Sequence, residues 1–394
     1  MKGLILPGKS ELKEIREALF SREKLRNFPL EVIHRVLSHW GFEDLPDVVE
    51  LLDDEKLEGI VSYHCWLKDE PVVEGYLELV NHLSSSPHSL LRLIQNTDHS
   101  FLSLFLASVS EIYIFEEKEE YLDREPAFTL DGGYTWFIPK LPDHDKQVLT
   151  RMFIELLAGT GKKYSEAIAL ASGFPPTQLK EEAYKRKEQV LANFGIPDEE
   201  LRRELLEPVP LSSNYSSDFS GVLPVKARGS LGFYPLENLI ARFEKKEFVD
   251  LLRNIVFAIL IEYRFPLFEH EIIPDIEVFS LAAINLGLQK MIAEGKSEGS
   301  FTHLEDIKLA FKVGFHDILF FHKKFSSINC DNWDVELRTV VEAVRNFPPK
   351  VPKYFSSQGL IHDKGSYPSE VNYISNLGQL KALKELLQTV KLTN

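Results

Sequence analysis

Only two cysteines occur in 394 residues, Cys65 and Cys330, far apart and without metal-ligand spacing. Their scarcity excludes a disulfide framework and fits a reducing, cytoplasmic compartment. Basic charge is also short. Against 60 Asp and Glu stand 45 Lys and Arg, for a net charge of −15. Nucleic-acid binders normally carry a concentrated basic surface, so no nucleic-acid partner is expected. Long apolar runs are missing too: Phe101–Phe115 and Val256–Ile261 are short or interrupted by Ser108, Ser110 and Glu111, so no membrane span is expected. The apolar start before Pro7 is too short for a secretory signal. Nor is there a complete catalytic motif. In GTGKKY (Gly159–Tyr164), Leu156 occupies the first glycine position of a phosphate loop and Lys163 its Ser/Thr position, so a helix-ending turn is the reading.

What remains is an ordinary folding composition, 44% hydrophobic and 27% charged, long enough for roughly two to three domains. Helical spacing dominates. Ile33, Val36, Leu37 and Trp40 form one stripe, Val73, Tyr76, Leu77 and Val80 a second, and Leu102, Phe105, Leu106 and Val109 a third. Helix starts recur at intervals of roughly 15 residues, punctuated by Pro, Asp or Ser, which is the style of a stacked α-solenoid. The fold class is therefore mainly α. Solenoid-like repeats over 1–125 precede a β-hairpin and central helices over 126–211. A flexible linker over 212–232 and a helical domain over 233–394 complete the chain. The hairpin is AFTLDGGYTWFI (Ala127–Ile138), turning at Asp131-Gly132-Gly133 and docking through Phe128, Trp136 and Phe137. The central helices run from Thr177, a candidate cap, to a stop at Gly195 and then from Pro197 onward, with Leu191, Phe194, Leu201 and Leu205 facing inward. In KEEAYKRK (Lys180–Lys187) bases alternate with acids at helical spacing, as on a solvated, self-paired face.

The stretch EEAYKRKEQVLANFGIPDEEL, with FTLDGGYTWF, INLGLQKM and KVGFHDILFFHKK, resembles a family of uncharacterised bacterial proteins, a domain of unknown function. The resemblance implies a helical fold and brings no activity with it. Lys187 departs from the family pattern, which has an aromatic or small residue there. The N-terminal half is also similar in repeat style to the cytoplasmic helical domain of bacterial magnesium transporters.

Candidate chemistry is confined to histidine–aspartate pairs, of which His316-Asp317 and His362-Asp363 are the metal candidates. An adjacent imidazole and carboxylate suit the metal of an HD-type phosphohydrolase. The leading expectation is instead a non-enzymatic protein that binds a protein partner, without cofactor, through a helical-repeat surface. A metal-dependent phosphohydrolase and an ion- or ligand-sensing regulator are the alternatives. Oligomeric state is not legible.

Overall fold

The computed structural model describes residues 5–119, 127–159, 161–209, 233–330, 333, 335–352, 355–356, 359–360 and 371–393. His362 and Asp363, and the whole of the expected linker 212–232, lie outside the described residues. The chain is mainly α-helical and divides into two compact units.

The first unit comprises Leu6–Glu199 together with Leu260–His270. Its helices begin with α1 (Lys9–Leu19), α2 (Arg22–Leu25), α3 (Leu30–His39), α4 (Leu45–Leu51) and α5 (Asp54–His64). A two-stranded ribbon, β1 (Trp66–Leu67) and β2 (Glu70–Pro71), leads to α6 (Val73–Leu83), α7 (Pro87–Gln95) and α8 (His99–Val109). Most of the expected starts hold for plain chemical reasons. Asp53 caps α5 by accepting from the Lys56 amide at 2.9 Å, Asp98 caps α8 through the Phe101 amide, and Pro87 opens α7.

The hairpin is larger than the sequence reading had it. β4 (Phe128–Thr129) and β5 (Thr135–Pro139) are antiparallel, but β5 is central and also pairs with β3 (Ser110–Ile114), giving the order β3-β5-β4. Asp131 accepts from the Thr129 hydroxyl and from the Tyr134 and Thr135 amides, while Gly132 and Gly133 take φ of 79° and 111°. Phe137 is buried and lies 4.3 Å, centroid to centroid, from Phe153 of α9 (Asp143–Gly159). So the sheet does lean on helices.

α9 and α10 (Gly161–Gly173) meet at the phosphate-loop lookalike. Lys163 turns inward there and donates to the carbonyls of Gln95 and Thr97, closing the C-terminal end of α7. α11 (Pro176–Asn193) starts one residue before Thr177, with Pro175 at its cap and no side-chain bond there, which corrects the expected Thr177 cap. One of its bases pairs along the helix, Lys187 with Glu188 at 2.8 Å, but the others named here reach off it. Arg186 reaches Glu58 of α5 with two bonds of 2.7 Å, Lys180 pairs with Glu70, and Lys187 is buried against the Lys68 carbonyl. Gly195, at φ 72°, ends the segment as read.

The second unit comprises Met1–Ile5, Glu200–Ile259 and Glu271–Asn394. Its helices are α12 (Glu199–Leu206), α13 (Leu236–Ile240), α14 (Lys245–Glu262), α15 (Ile273–Ala293), α16 (Leu304–Ser326), α17 (Val335–Arg345) and α18 (Leu377–Thr393). β6 (Lys350–Pro352) pairs with β9 (Val371–Tyr373), and the short β7 (Phe355–Ser356) pairs with β8 (Gly359–Leu360). Apolar stripes at helical spacing, such as Phe248, Leu252, Ile255 and Ile259 of α14, are buried here too. α15 is long and apolar enough to cross a bilayer, a run the sequence reading passed over, yet 78% of its most apolar window is buried in this unit. Small residues bring α15 and α16 together. A Cβ at Gly287 would stand 1.8 Å from the Ala310 carbonyl oxygen, and one at Gly314 1.9 Å from that of Ala283. Only glycine permits so close a backbone approach.

Candidate functional site

Two places gather polar side chains in unusual surroundings, one in each unit. In the second unit an open pocket of about 320 Å³ lies where the end of α12 meets α16. Its floor is apolar, from Val209, Val313, Leu319 and Phe320, and its rim carries Lys312, Lys323 and His316. His316 Nε2 lies 3.0 Å from the Leu206 carbonyl and donates to it, which fixes the ring across the end of α12. Burial, and secondarily Lys312 and Lys323, hold the His316 imidazole below its ordinary range. Asp317 points to Lys290, whose ammonium bonds both carboxylate oxygens at 2.9 and 2.7 Å. Burial nonetheless raises the Asp317 carboxyl above its ordinary value. Phe320 is 54% exposed at the mouth.

The expected metal candidates are thus half described. His316 and Asp317 both line this pocket, but one faces a carbonyl and the other an ammonium. Among the described residues no group of three or more His, Cys, Asp or Glu is placed to hold a metal ion. Any contribution of His362 and Asp363 lies outside those residues.

The first unit holds a feature the sequence reading missed. His34 of α3, His64 at the end of α5 and His270 form a row of hydrogen-bonded imidazoles. His270 Nε2 is 2.8 Å from His34 Nδ1, and His34 Nε2 is 2.9 Å from His64 Nδ1. His64 Nε2 then reaches the exposed Glu78 of α6 at 3.1 Å. His34 is 0%, His64 3% and His270 8% exposed. Phe42, Tyr63 and Phe268 pack their rings against the row at centroid distances of 5.1 to 5.6 Å from His34 or His64. Phe42 gets there through a left-handed pair, Gly41 at φ 62° and Phe42 itself at φ 60°, an uncommon conformation for a residue with a bulky side chain. Gly75 lets α6 close on His64, since a Cβ there would already stand 3.1 Å from the His64 carbonyl oxygen.

Electrostatics give the row a direction. The hydrogen bond from His64 holds the Glu78 carboxyl below its ordinary range, so Glu78 is an anion that only accepts. His64 therefore donates from Nε2. With the rings neutral, His34 and His270 donate from Nε2 in turn, and the row ends at His270 Nδ1, a buried nitrogen without a hydrogen-bond partner among the described residues. Burial, then the neighbouring His270 and His64, pushes the His34 imidazole well down. Burial, then Arg35 and His64, pushes that of His270 down to about 3.

A helical signal for part of this existed in the sequence, because His34 sits in the stripe of Ile33 and Leu37 and must face inward with it. Nothing in the sequence pairs it with a ring 236 positions away.

Fold and sites together describe a mainly α-helical protein with one buried imidazole row and one basic-rimmed pocket. The chain belongs to a family of unknown function, DUF6178, which matches residues 4–216 and so includes His34, His64 and Glu78 but not His270 or the pocket's α16. No curated protein and no solved structure matches the chain.

Proposed function

We propose that the protein acts by binding rather than by catalysis, and that the pocket beside α16 receives an acidic segment of a partner protein bearing a large apolar side chain. The observation that carries this reading is the local reversal of charge. In a chain of net charge −15, Lys312, Lys323 and His316 ring an apolar floor beside an exposed Phe320. No carboxylate forms an ion pair with Lys312 or Lys323 among the described residues. An apolar anchor with a charged rim is the usual anatomy of a protein contact. A solenoid-like stacking of the N-terminal helices in the magnesium-transporter style belongs to the same proposal, supported by α3 against α5, α4 against α6, and α6 against α8. The two buried, unbonded cysteines suit a cytoplasmic setting.

The test is fluorescence anisotropy with a labelled peptide alternating Glu with Leu and Phe. Saturable binding that weakens with salt and is lost in the Lys312→Glu, Lys323→Glu double variant supports the reading. Equal binding by the variant, or phosphoester turnover by the purified protein that the double change abolishes, overturns it. A melting temperature that rises across millimolar Mg²⁺ would favour the ion-sensing alternative instead.

A further inference from the structure

We propose that the row His270–His34–His64–Glu78 is an acid-released clasp, fastening the Leu260–His270 segment to helices α3 and α5 of the first unit. The segment is distant in sequence from the helices it rests on, and His270 is the residue that binds it to α3 by a buried side-chain bond. At its surface it adds Glu262 to Lys68 and Arg264 to Asp69, both exposed pairs that contribute little.

The buried half of the row, His34 and His270, cannot carry a proton charge cheaply. A neutral imidazole has one donor and one acceptor, and each inner ring already uses both. Protonating His34 turns its accepting Nδ1 into a donor aimed at the His270 N–H, which breaks that bond. Protonating His270 at Nδ1 keeps the bonds but leaves a buried cation with a donor that meets nothing. The groups facing the row do not help. α3 brings the Arg35 cation toward His270, α5 brings the Tyr63 phenol and the buried Cys65 thiol, and α6 brings Glu78 and His82 at the outer end only. Glu78, the carboxylate bonded to the row, is thus two imidazoles away from His270. Released into water, each ring takes a proton near its ordinary 6.5, whereas His270 in place resists to about 3. The open form therefore gains protons that the clasped form refuses, and acid favours opening. A metal reading fares worse, because His34 spends one nitrogen on each neighbour and the three rings do not converge on a point.

Hydrogen exchange of the full chain, followed by mass spectrometry from pH 7 to about pH 4 and corrected for intrinsic rates, tests the clasp. Protection of peptides covering 260–270 should fall by up to about tenfold per pH unit for each imidazole that gains a proton. Peptides from α15 and α16 should hold. Glu78→Gln keeps an acceptor for His64 Nε2 without the charge, so the weakened clasp should open at higher pH. His34→Phe should open the segment already at pH 7. Protection of 260–270 that stays flat with pH in the wild type, or a Glu78→Gln profile superposable on it, overturns the proposal even if the His34 variant fails to fold. So does Zn²⁺ that binds the wild type and raises protection of 260–270, since that would make the rings a metal site.

Discussion

The two units fill their centres by opposite means. Around α3, α5 and α6 the first unit buries polar groups and hydrogen-bonds most of them, the terminal His270 Nδ1 excepted. Three imidazoles bond to one another, Lys56 and Lys163 each close a set of backbone carbonyls, and Lys187 bonds the Lys68 carbonyl and the Glu188 carboxylate. Along α15 and α16 the second unit is packed mainly by apolar side chains and close backbones, with buried Asn285 and the Lys290–Asp317 pair as polar exceptions. Two glycines let the helix backbones touch, and Phe279, Phe311 and Phe315 fill the space around them. Dry packing depends on shape, whereas a satisfied polar core depends on protonation as well. The units should therefore fail under different insults, a steric one for α15–α16 and an acid one for the imidazole row.

The steric insult is the larger. Gly314→Val drives new atoms into the Ala283 carbonyl, which neither helix can turn aside, and should cost about 3 kcal/mol or more in denaturant melts. A cost below about 1 kcal/mol would mean that α15 and α16 sit further apart than described.

Next comes Phe194, whose ring occupies the space over Gly59 of α5, where a Cβ would meet it at 2.6 Å. Phe194 is only partly covered, so its replacement by Ala should cost about 2 kcal/mol, less than the 3–5 of a fully buried ring. Lys185→Ala, on the exposed face of the same helix, should stay within about 0.5 kcal/mol. Equal costs would make the end of α11 a loose attachment.

Lys163→Met keeps the apolar stem and removes the ammonium from the Gln95 and Thr97 carbonyls, for about 1–2 kcal/mol. Burial lowers the Lys163 ammonium to about 8, so at neutral pH the folded chain keeps this proton less readily than the unfolded one. Because the folded value lies under the ordinary 10.5, the wild type gains stability relative to the variant as pH rises from about 8 toward 10. A gap that narrows between pH 8 and 10 would contradict the assignment.

The smallest effect sharpens the contrast by its sign. Asp317 has its carboxyl raised by burial, so its contribution is fully present below the ordinary value of 3.8 and is lost as pH rises through the folded value. Acid therefore eases the second unit at this point while it strains the first at His34 and His270. Asp317→Asn should leave stability within about 1 kcal/mol at pH 7 and flatten that acid gain. An unchanged pH profile would remove Asp317 from the comparison.

How much of this was legible in the sequence follows the same division. The helical character of 233–394 was legible, since apolar residues such as Ile307, Phe311, Phe315 and Ile318 recur at helical spacing and land on the buried face of α16. The hairpin turn was read from Asp131-Gly132-Gly133, but β3 was hidden because Ser110–Ile114 looks like the tail of an apolar helix until β5 pairs with it. The polar core was not read at all. Lys187, marked as a departure from the family pattern, proves to be a buried partner of the Lys68 carbonyl, and no local spacing announces a bond across 119 positions. His316 and Asp317 stood out because they are adjacent. His34, His64 and His270 stayed inconspicuous because they meet only in the folded chain.

The polar character of the first unit rests on neutral imidazoles all donating the same way, and ¹⁵N resonances of the histidine rings report that directly. At pH 7 His34 and His270 should be neutral Nε2–H tautomers, ordered by the anion at Glu78. An Nδ1–H tautomer or an imidazolium at either would contradict this.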